Sequence, residues 1–195
     1  MKRILTALCL FIYSVSSLAF TEADLVTLLQ KPTHVQGDFV QRRYLQGLDT
    51  PITSKGEFVL VAGQGLLWQM KSPFVNHVRV TPNGIMQWNG SQWVENGKLA
   101  QAQQIGLFLG LLSGDIARLK TQFDPEVSGD AAHWELTLMP NSMLMRQIFD
   151  RIIIQGDRVV KQIELDEKQG DKTLIVFEHI RENQPLAGFV KSALE

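Results

Sequence analysis

The 195-residue chain contains one cysteine, Cys9, which sits in an apolar run near the start. The rest of the chain therefore has no thiol, which excludes disulfides, a cysteine nucleophile and cysteine-ligated metal. Its four histidines, His34, His77, His133 and His179, are dispersed, with no two at the i, i+4 spacing of a helical zinc motif. Basic clusters with interleaved aromatics are also missing. With 19 Lys and Arg against 20 Asp and Glu, the chain gains nothing from phosphate counterion release, so no nucleic acid partner is expected. There is no G-x-S-x-G elbow. Gly63-Gln64-Gly65 leads into strand-like residues rather than a helix, so it does not read as a phosphate loop. Glu164, Asp166 and Glu167 stand beside Lys161, Lys168 and Gly170, and Asp38 stands near Arg42 and Arg43. Both groups read as solvated surface charge. The expectation is a non-enzyme without metal or cofactor.

The first thing present is an address. Lys2 and Arg3, an apolar run from Ile4 to Val15 and the small residues of Ser17-Leu18-Ala19 read as a secretory signal peptide over residues 1–19. The run is too short for a retained span, and Leu8 before Cys9 does not fit a lipoprotein signal. The periplasm is the expected compartment. Removing Lys2 and Arg3 leaves 17 basic residues against 20 acidic, a formal charge of −3. Residues 20–195, about 176 in all, amount to one domain, with no later apolar run of membrane-spanning length.

Thr21 to Gln30 predicts a helix, with Thr21 at the N-cap and Leu25, Leu28 and Leu29 at helical spacing. Pro32 ends it. Short strands follow: VQGDFVQRRYL, KGEFVLVA, LLWQMK, NHVRVTP, GIMQW and SQWVENG. Asn83-Gly84 and Asn89-Gly90 mark tight turns, which makes Asn76 to Gly97 an antiparallel meander. Gln101 to Ser113 is apolar around most of its circumference and is softened by Gly106 and Gly110, which predicts a loosely held helix. Further strands are predicted near Ala117–Phe123, His133–Met139, Gln147–Gln155, Val159–Asp166 and Thr173–Arg181. About ten strands and two or three short helices make a mainly β protein built on a single curved antiparallel sheet.

Between Ser54 and Phe74 the alternation expected of a half-exposed strand fails. Phe58, Val59, Leu60 and Val61 are all apolar, and so are Leu66, Leu67 and Trp68. Both faces are apolar, so the second must be covered by helices or line a cavity. Trp68, Trp88 and Trp93, with Phe58, Leu60, Leu66 and Met70, either wrap into an ordinary core or line a pocket for an acyl chain. In the second case the Ile105–Leu112 helix is its lid.

These stretches resemble a known family. The short helix, GDFVQRR (Gly37 to Arg43), GLLWQMKSPF (Gly65 to Phe74), TPNGIMQWNG (Thr81 to Gly90) and the apolar helix near Leu107–Leu112 are similar to the periplasmic outer-membrane lipoprotein carriers, LolA and its relatives. The order of elements agrees over nearly the whole mature chain, the wording over about its first half. The resemblance implies an incomplete β-barrel with short helices as a lid. It also implies acylated lipoprotein or lipid cargo, an inner-membrane ABC-type or other exporter as donor, and an outer-membrane acceptor. Trp68 takes the place of the cavity-lining tryptophan and Leu66 that of the cavity mouth. Leu107, Phe108, Leu111 and Leu112 match the lid. Phe39, Phe58, Leu60, Met70 and Trp88 complete the expected lipid-binding set of a monomeric carrier. One departure stands out: where the carrier proper has an arginine ahead of the strand turn, this chain has Ala62, so closure must differ. The same fold also serves as a module that senses lipid or lipoprotein without transporting it, and that alternative stays open.

Overall fold

The computed structural model describes residues 20–95 and 115–194. The proposed leader, residues 1–19, and the expected lid helix, residues 101–113, lie outside them. Helix α1, Glu22–Leu29, begins where the sequence places it. Thr21 Oγ1 accepts from the Asp24 amide at 3.2 Å and Asp24 Oδ2 accepts from the Thr21 amide at 2.9 Å, a reciprocal cap that satisfies two helix-end donors. Its Leu25, Leu28 and Leu29 are buried.

The strands are β1 His34–Tyr44, β2 Ile52–Val61, β3 Gly65–Ser72, β4 Asn76–Thr81, β5 Gly84–Trp88, β6 Trp93–Glu95, β7 Phe123–Gly129, β8 Trp134–Pro140, β9 Phe149–Gly156, β10 Val160–Glu167 and β11 Lys172–Glu182. They form one antiparallel sheet in the order β6-β5-β4-β3-β2-β1-β11-β10-β9-β8-β7. The sheet is not closed, so with its helices it makes an open β-barrel. Each half of the chain is a meander running outward from the central β1–β11 pair, and turn chemistry sets the hairpins. Pro82-Asn83 joins β4 to β5 ahead of Gly84 at φ +131°, and Asn89 Oδ1 accepts from the Ser91 and Gln92 amides before β6.

Three more short helices occur among the described residues: α2 Ile116–Leu119, α3 Met143–Ile148 and α4 Gly188–Leu194. Helix α2 corrects the expectation of a strand from Ala117 to Phe123. Asp115 caps it, accepting from the Arg118 amide at 3.1 Å, and Ile116 and Leu119 are buried three residues apart on one face. The strand starts at Phe123 instead. Its Pro125 is tolerated because β7 is the last strand of the sheet, where a missing amide breaks no ladder. The expected strand at Gln147–Gln155 likewise starts only at Phe149, after α3, whose Ser142 cap accepts from the Met145 amide.

The main core joins the inner face of the sheet to Leu25, Leu28 and Leu29 of α1, Ile116 and Leu119 of α2 and Met145 of α3. A second cluster lies on the other face. There Val59 and Leu67 are covered by Val190, Ala193 and Leu194 of α4, with Val61, Trp93 and Leu186 at its margin. The two apolar faces of β2 and β3 thus have two separate partners.

Candidate functional site

Strand alternation puts Phe58, Leu60, Leu66 and Trp68 on the inner, concave face, because Phe58 pairs with Trp68 and Leu60 with Leu66 across β2 and β3. Leu66 and Trp68 in turn face Val80 and Val78 of β4. On the other side of β2, Phe39 of β1 stands opposite Gly56, and Val35 opposite Leu60. The glycine shapes this arrangement. A Cβ at Gly56 would lie 2.7 Å from the Phe39 ring and 2.1 Å from the Gln69 carbonyl oxygen, so only glycine lets Phe39 lie down over β2.

Phe39, laid flat, meets Trp68. Their rings stack with centroids 3.8 Å apart and 22° between planes. Phe177 of β11, the cross-strand partner of Phe39, closes the cluster edge-on to Phe58 at 4.8 Å and to Trp68 at 6.2 Å. Phe39, Phe58 and Phe177 are buried, while Trp68 and Met70 are half-buried against the same core. Five of the expected positions, Phe39, Phe58, Leu60, Leu66 and Trp68, therefore come together on one wall with Met70 at its edge.

An apolar slot of about 320 Å³ opens beside this wall, between the end of α1 and strands β1 and β2. Leu29, Pro32, Val35, Leu60 and Ala62 line it, with Gln30 and His34 as its polar members. Leu29, Val35 and Leu60 also bound a narrower void that reaches Phe58, Val159 and Val160. Ala62, at the position where the resemblance calls for an arginine, is exposed at the margin of the slot. A larger hollow of about 420 Å³ is found around Arg79, Thr81, Asn83 and Leu194. Arg79 belongs to the opposite face, where its guanidinium donates to the Ala193 carbonyl at 2.8 Å and lies 4.9 Å from the centre of the Trp93 ring.

Trp88 is apart from the wall. Its ring meets Trp93 at 5.3 Å and Phe189 of α4 at 5.9 Å, on the face that α4 covers. Leu107, Phe108, Leu111 and Leu112 lie outside the described residues. Sequence reasoning did not single out Phe177, Val35 or Leu29 for the site. The alternation of Ile175 and Phe177 marks an inward face, but only the pairing of β11 with β1 brings that face to Phe39.

Charge stays off the wall. Asp38 pairs with His179 at 2.8 Å rather than with Arg42 or Arg43, and Arg43 reaches Glu167 at 3.3 Å. Glu164 and Asp166 bind Lys172 at 2.6 and 3.5 Å, as hairpin charges do, and the Glu164 bond holds the Lys172 ammonium above its usual range. Among the described residues no group of three His, Cys, Asp or Glu is placed to hold a metal ion, and no helix is long and apolar enough to cross a membrane.

Residues 16–178 match a family profile described as "Outer membrane lipoprotein carrier protein LolA-like". No curated protein matches the chain in sequence. Among solved structures it is similar to MucB, with a TM-score of 0.52 and 14% identity over 89% of this chain and 62% of that one. It is similar also to the MucA/MucB complex of Pseudomonas aeruginosa, with a TM-score of 0.50 and 15% identity over 85% and 57%. A LolA superfamily protein from Nitrosomonas europaea gives a TM-score of 0.49 and 9% identity over 87% and 96%. The chain thus spans about three fifths of the MucB chains, and at these identities the likeness is one of fold.

Proposed function

The chain belongs to the LolA-like family of outer membrane lipoprotein carrier proteins, and from that premise we propose that it shields acyl chains of lipoproteins, or of a related lipidic product, during their passage between membranes. The observation that carries this reading is the aromatic wall of Phe39, Trp68 and Phe177, whose face continues through Leu60 into an apolar slot. At about 0.8 kcal/mol per buried methylene, a chain of ~14 carbons gains on the order of 10 kcal/mol, enough to hold it in water without any polar contact. Binding that rests on burial alone is slow to release. A donor exporter at the inner membrane and an acceptor at the outer membrane supply loading and unloading, and residues 1–19 direct the protein to the periplasm between them.

A second reading takes its support from the MucA/MucB complex, in which a protein of this fold is bound to a protein partner. A sensing module would change its affinity for such a partner when lipid is bound. The two readings separate on one variant. Trp68→Glu places a carboxylate on the wall at a half-buried position, where a desolvated charge opposes an acyl chain. Titrated with a fluorescent acyl peptide, the folded variant is expected to bind at least about tenfold more weakly than the parent protein. Unchanged affinity would show that the wall is not the binding surface. Binding that is lost without any effect on transfer to a second acceptor vesicle would favour the sensing module.

A further inference from the structure

Two cavities meet at one turn. The apolar slot on the inner face and the larger hollow around Arg79 both lie at the end of the sheet where β2 and β4 finish and β3 and β5 begin. Gly63, in the β2–β3 turn, lines both of them. The turn is bare at this point: Gly63 sits at φ +74°, and a Cβ added to it would meet nothing within 4 Å outside its chain neighbours. The cavities differ in chemistry. Leu29, Val35 and Leu60 make the slot apolar. The hollow, about 420 Å³, is bordered by Arg79 and by Gln64, Thr81 and Asn83, whose side-chain amides and hydroxyl are donors. No Asp or Glu is among the described residues that line either cavity, in a chain that has 20 of them.

Arg79 is half-buried, and its bonds among the described residues go to neutral acceptors. Its Nη1 donates to the Ala193 carbonyl at 2.8 Å and its Nη2 to Met86 Sδ, a weak acceptor, at 3.0 Å, while its buried Nε has no partner. The Trp93 ring, 4.9 Å away, holds the guanidinium in place. A cation drawn partly out of water without a counter-ion is destabilising, and an anion in the hollow beside it offsets that penalty through charge-assisted hydrogen bonds. From this we infer that the two cavities together hold an anionic amphiphile, with its acyl chain in the slot, its phosphate or carboxylate head at Arg79 and its linkage passing over Gly63. The assignment of the chain rests on the carrier reading and names the class of its cargo; the assignment of the head rests on Arg79 and its hollow alone. A neutral lipid fills the slot and leaves Arg79 as it is, so charge on the head is what the site distinguishes.

The test compares three probes by calorimetry on the secreted protein, below the concentrations at which they form micelles. They are dodecanoylglycerol phosphate, dodecanoylglycerol, which lacks only the phosphate, and glycerol phosphate, which lacks only the chain. The parent protein is expected to bind the acylated phosphate at least about tenfold more tightly than either of the other two. In Arg79→Gln the preference for phosphate is expected to fall to about threefold or less. Because Arg79 also bonds to α4, a second variant is made on the exposed β2–β3 turn: Gln64→Glu sets a carboxylate beside the head. It is expected to reduce the same preference by at least about threefold and to leave binding of the neutral ester unchanged. Equal binding of the two lipids by the parent overturns the inference and leaves the carrier reading intact, and so does a preference that survives both variants. Glycerol phosphate binding as tightly as the acylated phosphate overturns it in favour of a site for free anions. A preference that both variants abolish and Trp68→Glu leaves unchanged supports the inference and removes the wall from the carrier reading. Failure of both lipids to bind removes both.

Discussion

Gly56 leaves the concave wall the room it needs for Phe39. The Phe39 ring occupies the space above it, and the Gln69 carbonyl closes off the space beside it. Gly56→Ala is therefore expected to cost about 1–3 kcal/mol in urea unfolding, since neither the backbone oxygen nor the stacked ring can give way freely. Gly188→Ala is the matched control: an added Cβ there meets nothing within 4 Å, and it is expected to be neutral or to stabilise by up to ~1 kcal/mol. Equal losses at the two positions would show that Phe39 is not held as described. The wall was legible in the sequence where alternation and a cross-strand partner agree, at Phe58, Leu66 and Trp68. It was misleading at Trp88. Strand β5 carries apolar residues on both faces, Ile85 on one and Met86 and Trp88 on the other, so which tryptophan points inward depends on register. A shift of one residue reverses every face, and the register here comes from the Pro82-Asn83 turn.

At the scale of elements, α1 brings three leucines to the core and one side of the slot, and it depends on its first turn. Thr21→Ala removes the reciprocal cap and is expected to cost about 1 kcal/mol of stability. The hydrogen bonds from the Thr21 side chain and backbone hold the Asp24 carboxyl below the usual aspartate range. A lowered native value stabilises the fold above the ordinary aspartate range, and that contribution is lost as pH falls through the native value. Acid unfolding profiles of the parent and Asp24→Asn should therefore converge at the acid end and separate toward neutrality; parallel profiles would contradict the cap. Helix α1 was legible because its cap, its acids and its leucine spacing all agree. Helix α4, which answers the puzzle of the two apolar faces, was not identified, although Leu186, Phe189, Val190, Ala193 and Leu194 follow Pro185 at helical spacing. At seven residues it is shorter than an isolated helix can be, and it holds only because Val59 and Leu67 are there to be covered. The short helix α2 was misread for a related reason: four residues carry too little period to outweigh β-compatible side chains, and the Asp115 cap was the informative signal.

At the scale of the whole molecule, the hairpins were legible and the pairing that joins the two meanders was not. Strand β1 meets β11 across most of the chain, with an irregularity between Gln36 and Asp38, and no local signal specifies a partner so distant in sequence. That pairing sets Phe177 against Phe39 and gives the sheet its concave side. The proposed function requires this side to hold an acyl chain in water, and a native mass spectrum of the secreted protein, purified without detergent, measures that directly. A population heavier by the mass of an acylated molecule is expected, reduced to the bare chain on denaturation and absent from Trp68→Glu. A single ligand-free species that also takes up no added fatty acid or acyl peptide would contradict it.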